Sequence, residues 1–117
     1  MGIFGKKKSL EASQESALTK TQATARNVLL KRAEEAIQGA YRQKRLVFIT
    51  EGATYTDKQG RKESYSDDSL AQLFYDKMVA EMGRVSIGGM SGGTAAQLVS
   101  TVEDIKDIIA KTRREAK

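Results

Sequence analysis

Between Ala95 and Ile109 the apolar residues step along the chain by three, four, three and four: Ala95, Leu98, Val102, Ile105, Ile109. An α-helix gathers such steps on one face, and a face of that width needs a core to pack on. Val99 and Ile108 widen the stripe. Thr94 and Gln97 predict a capping box at its start, with the hydroxyl accepting the Gln97 N–H and the amide reaching back to Thr94. Glu103, Asp104 and Asp107 precede Lys111, Arg113, Arg114 and Lys117. That order complements the helix dipole. The spacing therefore predicts one long helix over 94–115. Two heptads are too few for a free-standing coiled coil, but they leave self-pairing open.

Just before it stands Gly88-Gly-Met-Ser-Gly-Gly93, after the short apolar run Arg84–Ile87. A strand, a glycine-rich turn and a helix follow from this pattern. Backbone N–H groups at such a turn can approach an anion, so Gly92, Gly93 and Thr94 form a candidate anion loop. A P-loop needs lysine before the Ser/Thr, and Gly93 stands there. Gly89-Met-Ser-Gly92 also fits the four-residue loop that clamps a nucleic-acid backbone, without its basic middle residues. A plain connection using glycine where φ is positive is the simpler reading.

Upstream, Thr19 and Gln22 suggest a capping box, and the helix expected from about Lys20 carries Leu29, Leu30, Ala33, Ala36, Ile37, Ala40 and Tyr41 on one broad face. It ends in Arg42, Lys44 and Arg45, where cations suit the dipole. Leu46-Val-Phe-Ile-Thr50 reads as a strand continuing through Gly52, a candidate bulge, to Thr56. Asp57-Lys-Gln-Gly60 has the residue order of a type I turn, and Arg61–Tyr65 returns as a polar edge strand guarded by its charges. Ser66 caps a second helix over 67–82, with Asp67 and Asp68 in its first turn and Gly83 at its end. Met78, Met82 and Met90 suit either core filling or an adaptable contact surface.

The expected fold is α+β, in the order α-β-β-α-β-α. A small three-stranded sheet, a hairpin plus the short strand near 84–87, packs against two or three amphipathic helices with one sheet face open. Residues 1–18 read as a basic and polar arm, flexible or a helix extension, and 19–117 as one domain.

The 117 residues contain no cysteine, histidine, proline or tryptophan. This removes thiol and imidazole chemistry and the usual zinc ligand sets, and no carboxylate spacing suggests a metal site. No catalytic residue, cofactor, metal or small-molecule substrate is therefore expected. No signal peptide or membrane span is legible, so a cytoplasmic protein is expected, with peripheral membrane attachment as an option. The net charge of +5 is uneven: residues 1–45 carry ten Lys/Arg against four Asp/Glu, residues 46–83 four against seven, and residues 84–117 six against four. Ile3 and Phe4 beside Lys6, Lys7 and Lys8 could dip into an acidic membrane surface or dock on a protein. These observations point to a non-catalytic interaction protein, an adaptor or assembly subunit that binds protein partners or itself. The alternative is a nucleic-acid-binding accessory protein, with Arg42, Lys44, Arg45, Lys58, Arg61 and Lys62 on phosphates and Tyr55 and Tyr65 as stacking candidates.

Overall fold

The computed structural model of the chain describes the backbone of residues 2–87 and 89–116, and the side chains of residues 20, 22–87 and 89–116. Its elements are α1 (Gly2–Arg42), β1 (Leu46–Phe48), β2 (Ala53–Thr56), β3 (Lys62–Tyr65), α2 (Asp67–Met82), β4 (Ser86–Ile87), β5 (Met90–Ser91), α3 (Gly92–Val99) and α4 (Val102–Glu115). The first helix, expected from about Lys20, begins at Gly2, and among its described side chains the buried stripe starts at Ala25.

The chain is α+β, with a three-stranded antiparallel sheet in the order β1-β2-β3 and helices against it. Its strands divide the sequence differently from the expectation. The run from Leu46 to Thr56 turns back on itself, because the Ile49 N–H donates to the Gly52 carbonyl at 3.1 Å and leaves Thr50 and Glu51 as the hairpin loop. Gly52 lies at φ +92°, and a Cβ there would collide with the Tyr65 carbonyl oxygen. It closes a hairpin rather than bulging a continuous strand. The segment 84–87, expected as the third strand of the sheet, contributes only Ser86 and Ile87, which pair with Ser91 and Met90 in a separate hairpin.

Period-two alternation gives the sheet two unlike faces. Leu46, Phe48, Ala53, Tyr55 and Tyr65 point toward the helices. The Phe48 ring meets Tyr41 of α1 at 5.8 Å, and Tyr55 meets Phe74 of α2 edge-on at 5.2 Å. The Arg113 guanidinium of α4 lies 4.8 Å from the Phe48 ring centre. Val47, Thr54, Thr56, Lys62 and Ser64 point the other way, and among the described residues no helix covers them. The core lies among α1, α2, α3, α4 and the inner face of the sheet, and includes Leu29, Ile37, Leu46, Leu70, Phe74, Ile105 and Ile109.

The helix expected over 94–115 is two helices, broken at Ser100 and Thr101, both in extended backbone. The Ser100 hydroxyl turns back to the Ala96 carbonyl, and the Tyr75 hydroxyl of α2 donates to the Ser100 carbonyl at 3.2 Å. Serine and threonine compete with helical hydrogen bonds in this way. The capping box stands at Thr101 and Asp104, not at Thr94 and Gln97: the Asp104 carboxylate accepts the Thr101 N–H at 2.9 Å. Arg26 of α1 locks the junction. Its guanidinium forks onto both Asp104 oxygens at 2.9 Å and also reaches the Val99 carbonyl at 3.0 Å. The fork holds the Asp104 carboxyl below the usual carboxylate range. α3 packs through Gly92, Gly93, Ala95 and Ala96, and Leu98, on another side of it, is 63% exposed.

Candidate functional site

The free edge of β1 is the least protected part of the sheet. The pairs Arg45/Thr56 and Ile49/Gly52 are joined by hydrogen bonds, so alternation along an antiparallel ladder makes Val47/Thr54 the bonded pair between them. Leu46 and Phe48 then turn their backbone N–H and C=O groups away from β2; Leu46 is buried, so it is the half-buried Phe48 that presents them at the open edge. The side chains along this edge carry no charge: Leu46, Val47, Phe48 and Ile49. Val47 and Ile49 are 47% and 45% exposed. The opposite edge, β3, carries Lys62 and Glu63, as an edge guarded against pairing should.

Beside β1 runs a groove of about 650 Å³, bounded by β1 and by Tyr41, Lys44, Arg113 and Ala116 at the ends of α1 and α4. Its walls are fixed by backbone chemistry. α1 stops in a Schellman motif, with the Lys44 N–H on the Tyr41 carbonyl (3.1 Å) and the Arg45 N–H on the Ala40 carbonyl (2.8 Å). Lys44 occupies the left-handed position at φ 66°, where glycine is usual. Arg113 pins the β1–β2 turn to α2. It donates to the Ile49 carbonyl (2.8 Å), the Gly52 carbonyl (2.9 Å) and the Asp67 carboxylate (2.6 Å). No periodicity marked Arg113, whose partners lie 46 to 64 residues away.

The described cations singled out from the sequence do not converge on one surface. Lys44 lines the groove beside β1. Arg42 is exposed nearby at the end of α1. Arg45 instead turns to the hairpin, reaching the Tyr55 hydroxyl and the Thr56 carbonyl at 3.5 Å each. There it shares a second groove with Lys58 and with Lys77 of α2, a residue the sequence reading passed over. Arg61 is tied into its own turn: Asp57 accepts its backbone N–H at 2.8 Å and its side chain at 2.9 Å. These bonds, the backbone one foremost, hold the Asp57 carboxyl below its ordinary range. Lys62 lies exposed on the outer side of the sheet. Tyr55 is buried, and the Tyr65 hydroxyl donates to Glu63 at 2.9 Å, which raises its pKa. Neither ring is presented flat to a base. The side chains of Ile3, Phe4, Lys6, Lys7 and Lys8 lie outside the described residues.

The candidate anion loop is occupied by packing. Gly92 and Gly93 are buried, and the Gly92 N–H is bonded to the Val85 carbonyl at 2.8 Å. A Cβ on Gly92 would lie 2.6 Å from the Met82 carbonyl, and one on Gly93 2.7 Å from the Val79 carbonyl. The glycines let the start of α3 press against the last turn of α2; Thr94 is exposed. Met78 and Met82 are core residues, while Met90 is 39% exposed. Among the described residues, no group of three acids is placed to hold a metal, and no helix is long and apolar enough to cross a membrane. Comparison with known proteins finds no family model, no curated protein and no solved structure that matches this chain.

Proposed function

We propose that this chain is a non-catalytic interaction module that receives an extended segment of a partner protein along the β1 edge. The carrying observation is that edge itself: outward backbone groups accessible at Phe48, uncharged side chains, and a ready groove alongside. An added strand would pair with those groups and extend the sheet, while the groove takes alternate side chains of the incoming segment. Lys44 in the groove wall and Arg42 close by favour a segment whose apolar alternation is flanked by acidic residues. The cations Lys6, Lys7 and Lys8 add attraction to an acidic surface, such as a membrane carrying the partner.

Selection of random peptides on the immobilised chain tests this reading. Enriched peptides should alternate apolar residues beside a Glu- or Asp-rich flank. Val47→Glu, which puts a like charge on the exposed edge, should weaken them about tenfold or more. Peptides without that pattern, or unaffected by Val47→Glu, would refute it.

A further inference from the structure

A second groove, of about 320 Å³, lies between α1, α2 and the β2–β3 hairpin, away from the β1 edge. Three cations border it from three separate elements: Arg45 after α1, Lys58 in the hairpin turn and Lys77 on α2. Two of them crowd one ring. The Arg45 guanidinium carbon is 6.0 Å from the Tyr55 ring centre, and the Lys77 ammonium is 5.6 Å from it. The Tyr55 hydroxyl reaches the same place and meets Arg45 at 3.5 Å. Among the described residues, no carboxylate lies within 4.0 Å of these three cations. The acids that border the groove are Glu35 and Glu81, and Glu81 is already shared with Arg32 at 3.9 Å. Gathering like charges is unfavourable unless something offsets them, and cation–π contact offsets only part.

We infer that this groove binds a phosphoryl group, with Arg45, Lys58 and Lys77 on its oxygens and the Tyr55 hydroxyl as a further donor. A fork-shaped guanidinium beside two ammonium groups matches a compact dianion. The groove has room for the phosphoryl group and for the group that carries it. That carrier is either absent, leaving free phosphate, or is a lipid headgroup.

Titration of the full chain with inorganic phosphate at constant ionic strength, followed by amide chemical shifts, tests the site. Saturable changes should appear at residues 45, 55, 58 and 77, with none from chloride at the same ionic strength. Lys77→Met, at a half-buried position, and Lys58→Met, at an exposed one, should each weaken binding about tenfold. Lys31→Met, on the exposed side of α1, should leave it unchanged. Tyr55→Phe keeps the ring and removes the hydroxyl, and should weaken binding by a smaller factor. A second arm uses vesicles of phosphatidylcholine with a phosphoinositide. Retention that free phosphate competes away assigns the lipid source, and phosphate binding without retention assigns the free anion. Equal shifts with chloride, or affinity indifferent to both lysine substitutions, would overturn the inference.

Discussion

Gly39 and Gly93 both lie within helices, yet alanine should act in opposite directions at the two positions. A Cβ at Gly39 meets nothing within 4 Å, so Gly39→Ala gains helix propensity and should raise stability by about 1 kcal/mol. At Gly93 the same methyl would press on the Val79 carbonyl, in backbone that has no rotamer to yield. Gly93→Ala should cost more than about 2 kcal/mol, as overpacked sites do. Chemical denaturation of the two variants reads both signs. Lys44 supplies a third case. Its left-handed backbone is strained for any residue with a Cβ, so Lys44→Gly should stabilise the fold by roughly 0.5–1 kcal/mol, net of the entropy glycine adds to the unfolded chain. The same change removes a cation from the groove, so affinity for acidic peptides should fall as stability rises.

Helix α2 was legible before any coordinates because its signals are local: Ser66 accepts the Ser69 N–H at 3.1 Å, two aspartates follow, and the apolar steps end at Met82. The break between α3 and α4 was not legible. The apolar steps run straight through Ser100 and Thr101; the local Thr101–Asp104 capping pair was masked by them, and the further support comes from Arg26 and Tyr75, far off in sequence. Gly52 was legible as a special position but not as the closure of a hairpin, because its constraint is the Tyr65 backbone across the sheet. The Arg26–Asp104 fork makes the break testable by pH. Asp104 titrates lower in the folded state than in the unfolded chain. Its contribution is therefore complete above about pH 4 and disappears as pH falls through the lowered folded value. Asp104→Asn should cost about 1 kcal/mol at neutral pH, near the low end for a charged hydrogen-bond pair because Arg26 remains 41% exposed. The gap between wild type and variant in urea denaturation should close below about pH 4. A gap constant with pH would show that the fork does not act through charge.

Taken together, the fold leaves its two sides unequal. Helices seal the inner face of the sheet, while the outer face and one edge stay open, and the charged strand guards only the far edge. The open face was foreseeable, since a polar returning strand and one apolar strand cannot fill two layers. The identity of the unguarded edge was not, because it depends on which backbone groups point outward, and that parity is set by the Ile49–Gly52 turn. The sequence likewise did not separate the cations into the β1 groove and the Tyr55 groove, because Lys77 joins the second only through the packing of α2.

Amide hydrogen exchange at Phe48, with and without a display-selected peptide, tests the interaction reading most directly. That N–H should exchange quickly in the free protein and slow by about tenfold or more when the peptide is bound, while that of Val47, bonded to β2, changes little. Binding that leaves Phe48 exchanging as fast as before would contradict it.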